Sequence, residues 1–235
     1  MNSYRPSFLS SIPPVVKNLI AINVILWLAT LLTPGIFRRW GLDVDLTDVL
    51  GMHYWASEKF NLAQLITYMF MHGGFGHVFF NMFALYMFGG VLENFWGAKK
   101  FLLYYLVTGI GAGIVQQLFW TVEYHAVITA MNEAIAANSG EHLLASQHIL
   151  EKYFRLSSLT NFTAPDLIGL NRMFLNLPVT VGASGSVFGL LLAFGWLFPD
   201  VRLMMIFFPV PIRARIFVMI YGVAELFLEI GRAHV

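Results

Sequence analysis

Two short segments carry groups able to move protons or hold charge inside otherwise apolar runs. The first is His72-Gly73-Gly74-Phe75-Gly76-His77-Val78-Phe79-Phe80-Asn81, and the second is Gly182-Ala183-Ser184-Gly185. A polar side chain at membrane depth is costly unless it faces a bundle interior or a wet cavity, so such residues are functional candidates. His77 and Asn81 are four apart, so on a helix they stack on one face and address one point in space. The glycines around His72 disfavour helix there and put that histidine on a lead-in turn. Ser184 opens a fresh apolar run, where a helix N-terminus offers free amides to a developing negative charge. Together these residue types suit nucleophilic attack by a hydroxyl with donors ready for an oxyanion.

The same residues also have blander uses. Gly185-x-x-x-Gly189 is a common helix-contact pattern in lipid, and His or Asn in a membrane helix often forms an interhelical hydrogen bond. A metal site built on His72 and His77 has no third ligand near by in sequence. His125, His142 and His148 show no ligand spacing and read as solvated.

The elements that must position these groups are membrane helices. The chain has 235 residues, of which 58% are hydrophobic and 11% charged, whereas an ordinary soluble domain is about 25% charged. Mean hydropathy is +0.69. A net charge of +1 gives no basic face for nucleic acid, and the absence of cysteine excludes disulfides, thiolate metal sites and cysteine nucleophiles.

Crossing about 30 Å of hydrocarbon takes roughly 20 apolar residues. The sequence offers five stretches near that length: Val15 to Leu32 closed by Pro34, His77 to Val91, Phe101 to Trp120, Val181 to Phe198 closed by Pro199, and Ile216 to Leu228. Residues 1–14 read as a cytoplasmic lead-in without a signal cleavage site, and 15–228 as one membrane domain. Leu203 to Val210 is too short to cross. Two long connections, 34–71 and 121–180, lie outside the bilayer or on its surface, the second with helical pattern around Ala126 to Ala137 and His142 to Phe154.

Basic residues orient the bundle, because short cytoplasmic loops collect Lys and Arg. Arg5, Lys17, Lys99, Lys100, Arg202, Arg213 and Arg215 fall on one side with only Glu93 and Asp200, while the long connections carry more acids than bases. The N-terminus is therefore expected in the cytoplasm.

Taken together, the two segments resemble the rhomboid family of intramembrane serine proteases. His, four residues, His, three residues, Asn matches His72, His77 and Asn81, and Gly-x-Ser-Gly matches Gly182 to Gly185. Leu92 to Gly97 is similar to the family's acidic, Gly-containing turn. The resemblance implies an all-α polytopic bundle with five of the usual six helices, in the inner membrane of a bacterium. It implies Ser184 as nucleophile, His77 and Asn81 with the Ser184 amide as oxyanion donors, and His72, Gly182, Gly185 and Phe188 in support. Phe188 falls where the family sets a ring against the catalytic histidine. Substrates would be transmembrane proteins cleaved in or near their membrane segments, with no cofactor. A non-catalytic relative that binds transmembrane clients, or a transporter using the polar residues as a pathway, remain rival readings.

Two features depart from the family pattern. Ala63 and Gln64 stand where the family often has Trp-Arg in the first long loop. The family's general base is a histidine within Gly-x-x-x-Ala-His on a sixth helix, whereas Ala233-His234 has Glu229 at the Gly position and no apolar run after it. Residues 229–235 therefore read as a non-native tail, since Ile230 to Val235 also spells one frame of a common sequencing adapter. The expectation is a gene that continues into a sixth helix and a chain that is inactive as written.

Overall fold

The computed structural model describes residues 12–37, 39, 44–141, 143, 150, 162–204 and 211–220. Helices dominate, as the apolar runs require. In chain order they are α1 (Pro14–Phe37), α2 (Leu46–Leu50), α3 (Gln64–Thr67), α4 (Phe75–Ala84), α5 (Gly90–Trp96), α6 (Ala98–Ala137), α7 (Ala164–Asn176) and α8 (Ser184–Leu197). Strand β1 (Met52–His53) pairs antiparallel with β2 (Val179–Thr180), and β3 (Arg202–Met204) with β4 (Pro211–Arg213). A helical segment over 214–220 follows β4.

Among the described residues, three helices are long and apolar enough to cross a membrane: Pro14–Thr33, Phe75–Trp96 and Ala98–Ala137. The architecture is a helical membrane bundle. Several ends differ from the hydropathy reading. α1 runs on through Pro34 to Phe37, although a proline has no amide to offer the carbonyl four residues earlier, so the helix passes this point at the cost of one backbone hydrogen bond. The helix expected over His77 to Val91 extends from Phe75 to Trp96, α4 and α5 being joined without a break by one wide π-helical turn, Leu85–Gly89. α6 does not end near Trp120; it runs on to Ala137, 40 residues in all, about 60 Å at 1.5 Å per residue. Nothing between Trp120 and Ala137 is Gly or Pro, and Tyr124, Val127, Met131 and Ala134 are buried at helical spacing. Most of the second helical pattern expected in this insertion lies outside the described residues, as do His142, His148 and residues 221–235.

The chain divides into two compact units. The first comprises Met1–Ile25, Gly74–Gly109 and Ala183–Val235. Its core holds Val16, Leu19, Leu85, Leu92, Phe101, Tyr105 and Leu190, with Phe88 edge-on to Phe194 at 5.1 Å. Here α8 lies close against α6. A Cβ on Gly189 would stand 2.7 Å from the Thr108 Cβ, and the Tyr104 hydroxyl donates to the Gly189 carbonyl at 2.9 Å. Because the obstructing atom sits next to backbone, it cannot swing aside. Gly189→Ala is expected to destabilise the fold by about 1–3 kcal/mol. Gly169→Ala on α7, where the new methyl meets nothing within 4 Å, is expected to hold or raise stability. Unfolding both variants in detergent checks this, and equal midpoints would remove the close approach from the account.

The second unit comprises Leu26–Gly73 and Ile110–Gly182. Two buried glutamines stitch its first loop. Gln117 accepts from the Trp55 amide at 2.9 Å and donates to the His53 carbonyl at 2.7 Å. Gln64 accepts from the His53 amide and donates to the carbonyls of Val49 and Lys59. At the position where the resemblance suggests arginine, a neutral amide thus serves donors and acceptors together, which a guanidinium cannot do. Asn176 at the end of α7 bonds to Ser57 at 2.5 Å, and Tyr124 meets Phe174 edge-on, so the insertion and the loop share one core.

Candidate active site

The first unit contains Ser184, Gly185, Phe188, His77 and Asn81, and within it α4 packs against α8. Ser184 is the first residue of α8 and is exposed. Its hydroxyl makes no hydrogen bond among the described residues. The neighbouring Ser186 is 1% exposed, and its hydroxyl donates to the Tyr105 carbonyl at 2.7 Å. Two serines two residues apart therefore have opposite fates. Ser186 is consumed by packing, and Ser184 stands open at the end of a helix whose first amides have no carbonyl to accept them.

Up to Gly182 the chain belongs to the second unit and is held by that unit's own contacts. Gly182 has φ 129°, a conformation that side chains resist, and its amide donates to the Tyr68 carbonyl at 2.9 Å. Met52 pairs with Thr180 in the short ladder just before it. Burial pushes the Tyr68 hydroxyl up to about 12, against a lowering by its hydrogen bond with the Gly113 backbone, so this phenol stays protonated and does not serve as a base.

His77 and Asn81 lie one turn apart on α4, as their spacing requires. Asn81 is 7% exposed and His77 is half-buried. One amide hydrogen of Asn81 is engaged with the His77 carbonyl at 3.0 Å, and the second hydrogen of that NH₂ group remains for another acceptor. Phe188 and Gly185 are half-buried on the first turns of α8. His72 belongs to the second unit, is 3% exposed, and lies outside helix between the 3₁₀ turn Tyr68–Phe70 and α4, in keeping with its glycines. His125 is exposed on α6, and among the described residues no three potential metal-ligating side chains come together.

One structural residue was visible in sequence only as part of a turn. Glu93 is 3% exposed and accepts from the backbone amides of Val15 at 2.9 Å and Val16 at 2.8 Å. It caps the start of α1 from a distant part of the chain, a pairing with no local spacing to reveal it.

Comparison with known proteins bears on the whole. A family model described as Rhomboid domain matches residues 59–234. A stretch of 99 residues, 41% of this chain, is 31% identical to the "Putative rhomboid protease YdcA" of Bacillus subtilis (strain 168). The match covers 46% of that protein's length, so less than half of this relative is represented. The family model alone accounts for well over half of the sequence and takes in α4, α6 and α8 with both polar segments: the chain belongs to the rhomboid family.

Proposed function

We propose that this protein is an intramembrane serine endopeptidase that cuts peptide bonds in or near the transmembrane segments of other membrane proteins. The observation that carries the reading is the open Ser184 hydroxyl at the start of α8, in the same unit as the packed α4 that bears His77 and Asn81. Ser184 Oγ attacks the substrate carbonyl carbon and gives up its proton to a general base. The reading assigns that base to a histidine on the sixth helix that the family resemblance implies. The negative charge that forms on the carbonyl oxygen is held by the Ser184 amide, the His77 ring and the free Asn81 amide hydrogen. The C–N bond then breaks, the amine leaves with the proton, and water hydrolyses the acyl-enzyme. Gly182 and Gly185 leave room for the substrate backbone, Phe188 supports the histidine base, and His72 supports the approach to α4.

The 14 residues of α8 reach about 21 Å at 1.5 Å per residue, short of the roughly 30 Å of hydrocarbon. A helix that starts at one membrane face therefore puts Ser184 below the other, where a transmembrane substrate can reach it. By the distribution of basic residues the N-terminus is cytoplasmic, and the membrane is the inner membrane of a bacterium.

A fluorophosphonate probe applied to the product of the native gene tests this. The expected result is a single covalent adduct that maps to Ser184 by peptide mass. No adduct, or one on another serine, would leave a client-binding relative or a polar-pathway transporter as the better description.

A further inference from the structure

The turn between α5 and α6 joins two of the helices long enough to cross a membrane, Phe75–Trp96 and Ala98–Ala137, through the single residue Gly97 with φ 81°. So short a connection must lie at a membrane face. There the structure forms a groove of about 450 Å³ lined by Trp96, Gly97, Ala98, Lys99, Lys100 and Leu103. Lys100 Nζ lies 5.5 Å from the centre of the Trp96 ring, and neither lysine forms an ion pair among the described residues. The acid nearest in sequence, Glu93, is buried and occupied by the α1 amides.

Two further observations give the groove a polarity. Below it, Leu103 and Val107 are exposed at 61% and 58% on α6, and they follow Lys100 by three and seven residues, which keeps all three on one helix face. At the same end of this unit, Phe95 touches Phe198 at 5.4 Å. Beyond Phe198 the described residues carry Arg202, Arg213 and Arg215 against one acid, Asp200, which the last two share at 3.8–3.9 Å. The end face is strongly basic, with an apolar strip running from it along α6.

We infer that this groove binds one anionic phospholipid, its phosphate between Lys99 and Lys100 beside Trp96 and an acyl chain along Leu103 and Val107. Tryptophan suits the headgroup level, and lysines in such a position recognise anionic lipid heads. The site is remote from Ser184 in sequence and stands or falls independently of the proteolytic reading.

Native mass spectrometry of the full-length protein, titrated in detergent with phosphatidylglycerol, tests it. One phosphatidylglycerol should be retained per chain, and phosphatidylcholine should bind much more weakly. Lys99→Gln with Lys100→Gln should weaken phosphatidylglycerol about 25-fold, roughly 5-fold per lysine, whereas Lys99→Arg with Lys100→Arg should keep it. Excess inorganic phosphate, which has no chain for Leu103 and Val107, should not displace the lipid. Equal retention by wild type and the glutamine variant, equal binding of phosphatidylcholine, or displacement by phosphate would each overturn the inference.

Discussion

Replacing Glu93 by alanine is expected to destabilise the protein by about 3–6 kcal/mol, since hydrogen bonds to a charged group contribute about 1.5–3 kcal/mol each and two are lost together. Their donors, the amides of Val15 and Val16, sit in the first turn of α1. Pro13, just before that helix, has no side-chain oxygen with which to cap it. The carboxylate also meets the positive end of a helix 24 residues long. Glu93→Gln keeps one acceptor and turns an NH₂ toward the other amide, so about half of the loss should remain. Glu93→Asp is too short to reach both donors. Equilibrium unfolding in detergent measures the series, and an alanine variant as stable as wild type would show that water caps α1 equally well.

Asn81→Ala should slow peptide-bond hydrolysis by about 10²- to 10³-fold through kcat, leaving KM nearly unchanged, because an oxyanion donor acts only as charge develops. The variant also loses the bond from Asn81 to the His77 carbonyl, which duplicates an intrahelical contact and costs little. Purely structural work by Asn81 would instead lower the unfolding midpoint and raise KM. The assay requires the product of the native gene in liposomes with a transmembrane substrate. A kcat equal to wild type would take Asn81 out of the proposed oxyanion site.

The polar groups were legible because lipid makes them conspicuous. His77, Asn81 and Ser184 stood out against apolar neighbours, and their helix faces followed from spacing alone. Gly97 was likewise readable as a turn, and its φ of 81° explains the residue type. What escaped was whatever depends on distant chain. The long α6 was divided at Trp120 because hydropathy reports where lipid ends, and a helix continues as long as nothing breaks it. Gln64 looked like a departure from a pattern, yet its side chain ties together His53, Val49 and Lys59. The separate fates of Ser184 and Ser186 were invisible in sequence, because the Tyr105 carbonyl that engages Ser186 arrives from 81 residues away.

The π turn between α4 and α5 sets the phase of one continuous span. Asn81 and Glu93 are twelve residues apart, which on an unbroken α-helix leaves them about 120° out of register at 100° per residue. A π turn absorbs one extra residue, and the offset shrinks to about 20°. That single surplus residue lets one rod turn its amide and its carboxylate to the same side. Gaining one residue within 85–89 would swing everything beyond it by about 100°, leaving the carboxylate aimed away from the helix it caps.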